Sequence, residues 1–511
     1  MYDPGEKLYY LADFNEKIAV GNYCDFYSYN SLNALVSENP EDKNSWHFAN
    51  MQGEGGEEYF FDPDYALASY DAMEKAYGCF HDRYGFNSVD KSGMPCLLLL
   101  YQYDDVLGYP EYEEDFINNA MNAGQVRDWN VTTTSPMSAC SVEIGTLTHE
   151  FTHGINAQLT NSQYLNQQGA VMEGYADSIG EQIAYLYGYK WEEFKWQVGS
   201  QYCAPMRSFD DPLALGSPKY IGGTDYVEPI KSDCMNELLD CGGVHENSGV
   251  VNYLCYELCN SEFVKEADRL TMEENLDCWF ETLYMSTYDT NYEDIAHFLI
   301  FAAEHMPGMS EGKKETVKYL TDLYGFTGNR DELEKLIGEE ECYEYELQLN
   351  LPEDGSAEGM SFGASYVAED GSGRYCVAGE MDENGSIELK TDAALGEGYW
   401  NLGCGRDLDE HEPNYVSLPG IEESTEINVQ GYDLQEGDAF DTEGGYILSI
   451  SYVDTAADEE DEETSEIQAD VTDYMYDFEG QDGCEIPAAG RYVVLYEGSN
   501  GAYELAIINA K

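Results

Sequence analysis

The sequence predicts an α+β protein: a β-rich N-terminal lobe, an α-helical lobe, and two small β-sandwich-like domains behind them. Three observations carry this. Residues 1–60 mix aromatics with Gly and Asn and show alternating pieces that suggest short strands with long turns. From 141 to 337 apolar residues recur at helical spacing. Beyond residue 341 only five Lys or Arg remain, and alternating segments between Gly, Asp and Asn turns replace the helical period. The boundaries that follow are 1–156, 157–340, 341–430 and 431–511.

In the first lobe, Leu8–Leu11 and Pro95–Tyr101 read as strands, and 64–83 reads as a helix through Ala66, Tyr70, Met73, Ala76 and Tyr77. The helical lobe is expected over 141–156, 173–188, 247–260, 271–284, 293–304, 313–324 and 330–337. The first of these carries Leu147, Phe151 and Ile155 on one stripe. The second carries Ile179, Ile183, Leu186 and Tyr187 and closes at Gly188. The third is capped at Asn247-Ser248 and turns Val251, Leu254, Cys255 and Leu258 inward. A helical lobe against a β-rich lobe places a site in the cleft between them. In the C-terminal third, 364–367, 374–378, 386–390, 446–452 and 491–496 read as strands.

The chain has 511 residues, enough for two to four domains, and 43% of them are hydrophobic, the composition of a globular protein. No apolar run of transmembrane length occurs. Met1-Tyr2-Asp3-Pro4 shows neither a charged nor an apolar leader region, so the sequence reads as beginning at or near a mature form. Lys and Arg number 24 against 101 Asp and Glu, a net charge of −77. That balance argues against nucleic acid, which needs a basic patch, and against anionic membrane surfaces. It is read as a soluble, self-repelling surface, and the acidic run Asp458–Glu463 as a solvated loop. The 14 cysteines include no Cys-x-x-Cys. Cys203, Cys234 and Cys241 could be bridged or stand as buried thiols.

The chemistry concentrates at His149-Glu150-Phe151-Thr152-His153, answered by Glu173. Residues four apart share a helix face, so His149 and His153 can present two imidazoles to one metal. A catalytic zinc takes three protein ligands and keeps one position open. Glu173 is the natural third ligand, and Glu150 stands beside the first histidine as a candidate general base.

With these residues the chain resembles the thermolysin-like metallopeptidases, over roughly residues 9–337. The nineteen residues between His153 and Glu173 match that family, as do Tyr164-Leu165-Asn166-Gln167-Gln168-Gly169-Ala170 and Gly242-Gly243-Val244-His245-Glu246-Asn247-Ser248-Gly249. The resemblance implies a thermolysin-like two-lobe fold, one catalytic zinc, and hydrolysis of peptide bonds within protein or peptide substrates. It implies Tyr164 and His245 as donors to the oxyanion, Asp240 as support for His245, and Asp177 as partner of the first histidine ligand. Asn119 and Ala120 would hold the substrate backbone, and Arg207 the carbonyl beyond the cleaved bond. Met206, with Met137 and Thr146, would line a pocket for a bulky apolar residue.

Two departures stand out. The family's asparagine before the glutamate ligand is Met172 here, so the second histidine must be oriented otherwise. The carboxylates of the family's double calcium site are replaced by Gly145 and Ala184, so that site is expected to be absent. The resulting expectation is a secreted neutral zinc endopeptidase, monomeric and without membrane insertion, whose accessory β-domains bind a cell-surface or extracellular ligand. The alternative is a surface binding or adhesion protein with a decayed peptidase domain. Aminopeptidase activity, a third possibility, fits the ligand spacing less well.

Overall fold

The computed structural model describes residues 63–93, 143–199, 205–230, 239–340, 342–368, 375–406, 414–420, 423–454 and 481–511. It also describes shorter pieces at 2–3, 8–10, 12–13, 18–23, 32–37, 39–41, 46–48, 96–100, 120–121 and 130–134. Helices and sheets divide as an α+β chain should. Among the described residues no helix is long and apolar enough to cross a membrane. The chain forms two compact units: 1–163, 171–212 and 248–333 make one; 164–170, 213–247 and 334–511 make the other.

The first unit begins with a mixed sheet. Its main order is Tyr2–Asp3, Leu8–Tyr10, Leu32–Ser37, Ile18–Tyr23, Cys96–Leu100, Asn130–Thr134, Ala120–Met121. Cys96–Leu100 pairs in parallel with Ile18–Tyr23 on one side and Asn130–Thr134 on the other. It is thus a central strand, as its unbroken apolar run predicts. Ala120–Met121 ends the order, pairing with Asn130–Thr134.

The helices follow: α1 (Pro63–Tyr84), α2 (Ile144–Thr160), α3 (Asn166–Leu186), α4 (Asp240–Gly243), α5 (Ser248–Asn260), α6 (Met272–Met285), α7 (Tyr292–His305), α8 (Glu311–Leu323) and α9 (Leu333–Ile337). The expected stripes are buried: Leu147, Phe151 and Ile155 on α2, and Val251, Leu254, Cys255 and Leu258 on α5. Phe151 stacks on Phe80 of α1 at 5.0 Å, and Phe80 meets Phe280 of α6 at 6.1 Å, an aromatic cluster behind the metal motif. Capping boxes start α6 (Thr271, Glu274) and α7 (Asn291, Asp294).

Helix α3 begins at Asn166, seven residues before the expected start. Its first turn, Asn166-Gln167-Gln168, is polar and half-buried, so no apolar period announces it. Its end agrees with expectation, since Gly188 at φ +75 follows the last turn. Tyr187, expected inward, is exposed.

In the second unit, a six-stranded sheet packs against a four-stranded one. The order of the first is Ser386–Thr391, Tyr343–Asn350, Ser424–Leu434, Tyr503–Ala510, Gly490–Glu497, Tyr446–Asp454. The second runs Tyr375–Glu380, Met360–Ala368, Gly398–Arg406, Asn414–Pro419. Leu347, Ile427, Leu505 and Val493 of one sheet meet Phe362, Trp400 and Leu402 of the other. Tyr492, Val494, Ala506 and Ile508, alternating with those residues, join a further core with Phe440 and Ile486. The boundary expected at 430/431 falls inside the strand Ser424–Leu434. That strand pairs in parallel with Tyr343–Asn350 on one edge and Tyr503–Ala510 on the other. One sheet therefore continues across that boundary. Parallel pairing between distant segments leaves no local mark that a reading of alternation can find.

Close approach of α2 and α3 depends on a missing side chain. A Cβ on Gly180 would lie 2.7 Å from the Gly145 carbonyl oxygen and 3.1 Å from the His149 nitrogen. Both are backbone atoms, so the helices themselves would have to part. Gly180→Ala is therefore expected to destabilise the protein by about 1–3 kcal/mol. The check is a melting curve with zinc content measured in parallel; an unchanged melting temperature would show that α2 and α3 separate without strain.

Candidate active site

Helix α2 supplies His149 and His153, one turn apart, and α3 supplies Glu173. All three are buried. His149 Nε2 and His153 Nε2 are 3.0 Å apart. Glu173 Oε1 lies 3.1 Å from His153 Nε2, and Glu173 Oε2 lies 3.5 Å from His149 Nε2. Three donor atoms thus converge on one point. Tetrahedral zinc at 2.0–2.1 Å from its ligands sets neighbouring donor atoms about 3.3 Å apart, and the two imidazole nitrogens at 3.0 Å, with a Glu173 oxygen 3.1 to 3.5 Å from each, suit the ion. Two imidazole nitrogens facing each other beside a carboxylate are the donor set that zinc favours. Glu150, the next residue on α2, is 5% exposed.

Behind His149 stands Asp177, one turn beyond Glu173 on α3 and 1% exposed. Its Oδ1 is 2.9 Å from His149 Nδ1 and accepts from Arg207 Nη2 at 2.8 Å. Its Oδ2 accepts from Arg207 Nε at 2.6 Å and from Asn252 Nδ2 at 2.8 Å. Burial alone would raise the Asp177 carboxyl, but the Arg207 charge and the bond to His149 outweigh it and hold the group well below the usual carboxylate range. A carboxylate on Nδ1 keeps that nitrogen protonated and leaves Nε2 as the metal-facing lone pair. Arg207 sits on the strand Arg207–Ser208, paired with Gln197–Val198. Its guanidinium also lies 4.0 Å from Glu173 Oε2. The expected role of Asp177 thus extends: it orients both His149 and Arg207.

In the second unit, Tyr164, Asp240 and His245 come together. Asp240 Oδ1 is 2.6 Å from His245 Nδ1, Oδ2 accepts the His245 backbone N–H at 2.7 Å, and His245 Nε2 is 3.0 Å from the Tyr164 hydroxyl. Burial opposes ionisation of Asp240, yet the His245 charge holds it low. Burial and then the Asp240 charge push Glu246 well up. The turn that makes this arrangement is strained. Asp240, Cys241, Gly242 and Gly243 all have φ between 46° and 82°. A Cβ at Gly242 would strike the Asn166 side chain at 2.0 Å, so glycine is required there twice over. Asn166 clamps the backbone N–H and C=O of Ile230, and Asn247 clamps those of Val227. Val227, Ile230 and Leu239 pack with Val377 of the strand Tyr375–Glu380.

Other predicted residues fare differently. Ala120 lies in a described strand, whereas Asn119 and Met137 lie outside the described residues, as do Cys203, Cys234 and Asp458–Glu463. Met206 is half-buried beside Arg207 and donates its N–H to the Val198 carbonyl. Thr146 is buried on α2, and Met172 is buried on α3. Gly145 and Ala184 approach closely, a Cβ on Gly145 standing 3.5 Å from that of Ala184. Sequence reasoning missed Asn252, Asn166 and the Asn247 clamp. Asn252 is fully buried on α5, which its sequence context does not announce.

Asp177→Asn is expected to weaken zinc binding by about 10–100-fold, because the amide cannot both accept from His149 and balance Arg207. Competition with a chromogenic chelator measures this. A depressed carboxyl stabilises the fold above its unfolded value, and that contribution is lost as pH falls through the folded value. The wild type should therefore lose melting temperature below pH about 4 more steeply than the variant.

The family profile described as "Thermolysin metallopeptidase, alpha-helical domain" matches residues 160–320, a stretch containing Tyr164, Glu173, Asp177, Arg207, Asp240 and His245. Bacillolysin of Bacillus amyloliquefaciens is 24% identical over 242 residues, 47% of this chain and 40% of that protein. An extracellular elastase of Staphylococcus epidermidis is 26% identical over 210 residues, 39% of this chain and 37% of that protein. The chain thus spans well under half the length of these two. An extracellular metalloprotease of Pectobacterium carotovorum subsp. carotovorum is 27% identical over 252 residues, 45% of this chain and 65% of that protein. A solved structure, the precursor of protealysin from Serratia proteamaculans, aligns at a TM-score of 0.42 and 16% identity, over 60% of this chain and 87% of that one, too loosely to carry an argument. Through the stretch 160–320, its ligand spacing and these relatives, the chain is similar to the thermolysin-like metallopeptidases.

Proposed function

We propose that this protein is a secreted zinc endopeptidase that cleaves peptide bonds before bulky apolar residues. The observation that carries the reading is the cluster of His149 and His153 Nε2, 3.0 Å apart, with one Glu173 oxygen 3.1 Å from His153 and the other 3.5 Å from His149, and Glu150 beside it. Relatives named as extracellular proteases support secretion. The peptidase part is read as lobes 1–156 and 157–340. The β-region 341–511, whose six-stranded sheet runs across the boundary expected at 430/431, is read as accessory, for an extracellular ligand. The adhesion alternative has less support, because every position that the chemistry needs is intact.

His149, His153 and Glu173 would hold a zinc ion, which when bound would supply Lewis-acid chemistry and a water nucleophile near neutral pH. Glu150 accepts the proton of the attacking water and passes it to the leaving amine. The resemblance implies Tyr164 and His245 as donors to the oxyanion, and Asp240, 2.6 Å from His245 Nδ1, would fix the imidazole. Arg207, anchored by two bonds to Asp177, offers its other N–H groups to the substrate carbonyl beyond the cleaved bond. Met206 and Thr146 contribute to an apolar pocket. Ala120 lies on the strand Ala120–Met121, which ends the sheet order, and with Asn119 would hold the substrate backbone.

Hydrolysis of casein and of a furylacryloyl dipeptide amide, with and without chelator, tests the reading. Glu150→Gln should keep zinc and lose at least about 99% of turnover, since the amide cannot accept the proton. Activity near wild type in that variant would remove Glu150 from the mechanism. His245→Ala should lower turnover by about 10²–10³-fold without changing zinc content. Loss of zinc there would make His245 a ligand and contradict the assignment.

A further inference from the structure

The first unit holds a second set of buried charges that peptide hydrolysis does not use. Lys190, just beyond α3, has a side chain 1% exposed; Glu143, just before α2, and Glu181, on α3, are 3% and 2%. The ammonium lies 3.1 Å from Glu143 Oε1 and 2.5 Å from Glu181 Oε2, and it donates to the Gln197 carbonyl. The ammonium thus donates to Glu181 and the Gln197 carbonyl and pairs in charge with Glu143, so it stands against oxygens from three separate segments. The other oxygen of Glu181 accepts the Trp196 N–H at 2.9 Å. Gln197 in turn pairs with Ser208, beside Arg207.

Glu173, Asp177 and Glu181 follow one another at four-residue intervals along one face of α3. The first is a metal ligand, the second orients His149 and Arg207, and the third holds Lys190. A void of about 10 Å³, room for roughly one water, touches Glu143, Glu181, Lys190, His149 and Asp177. The two charge clusters are thus neighbours across a single small space.

Two buried carboxylates and a carbonyl aimed at one point are the donors of a hard divalent cation. Here that point is filled from within the chain. Burial pushes Glu181 up to about 7 and also raises Glu143; Lys190 opposes both shifts. Without the ammonium, neither carboxylate would have a counter-charge at this site.

We propose that Glu143, Glu181 and the Gln197 carbonyl form a cation cradle whose resident cation is the Lys190 ammonium, which fastens α2, α3 and the 196–198 segment as a bound calcium ion otherwise would. It follows that this cradle takes no calcium in the native protein, and that removing the ammonium uncovers a divalent-cation site. This inference is independent of the peptidase reading, since none of its readouts uses peptide hydrolysis.

The test is made on the full chain with zinc saturating. Melting curves and isothermal titration with calcium chloride are recorded for wild type and Lys190→Ala. In calcium-free buffer the variant should melt about 5–10 °C lower, because removal of one partner strands buried charge. Millimolar calcium should restore most of that loss, and titration should show one new site. Wild type should show neither effect. A variant that melts like wild type overturns the proposal, as does one that is destabilised but unresponsive to calcium, or a wild type that responds equally. Should Lys190→Ala not fold, the triple variant Glu143→Gln, Glu181→Gln, Lys190→Met decides. It replaces the charges with neutral groups of similar shape and should fold without any calcium response. Failure of the triple variant to fold would show that charge balance is not what Lys190 supplies.

Discussion

The metal centre depends on one buried carboxylate. Asp177 has four donors around it, from His149, Arg207 twice and Asn252. Leaving such a group unpaired in the interior would be costly, so each donor is held as firmly as the carboxylate itself. Helix α2 contributes His149, α3 the acid, the strand Arg207–Ser208 the guanidinium, and α5 the amide. Four segments far apart in sequence are thereby fixed by a single side chain. The orientation of His149 toward His153 and Glu173 follows from that, because its ring plane is set by what its Nδ1 meets.

Charge is the constraint that surrounds this centre. A chain with 101 acidic and 24 basic side chains has few cations to place inside. It places two of them in this unit beside buried carboxylates: Arg207 against Asp177, and Lys190 between Glu143 and Glu181. The choice of side chain is physical. Arg207 uses a flat fork that matches both oxygens of one carboxylate, whereas Lys190 is a compact charge with three donors that can serve three acceptors. A net charge of −77 makes each such pairing more consequential, since the surface contributes repulsion and not compensation.

The second unit solves a different problem, the presentation of an imidazole. Four successive residues in the left-handed region turn the chain so that Asp240 faces both the backbone and the ring of His245. Strain of that kind persists only where surrounding contacts over-determine it. The clamps from Asn166 to Ile230 and from Asn247 to Val227 do so, and Leu239 closes the small core beneath. That core includes Val377, so a strand of the C-terminal β-region takes part in supporting this turn.

Much of the site was legible in the sequence. Residues with a fixed local geometry announce themselves: His149 and His153 at one helical turn, Asp177 one turn after Glu173, Gly242 and Gly243 before His245. Period-3.6 and period-2 patterns likewise placed most helices and several strands. What tertiary structure alone decided has no local period. The polar first turn of α3 gives no apolar stripe. The strand Ser424–Leu434 joins stretches expected to be separate, because parallel pairing links segments whose sequences bear no mark of each other. Asn252 and Lys190 read as ordinary polar residues until folding buries them against Asp177, Glu143 and Glu181. Local sequence specifies spacing along a helix or strand; which charges meet in the interior depends on long-range packing, and only the folded chain determines it.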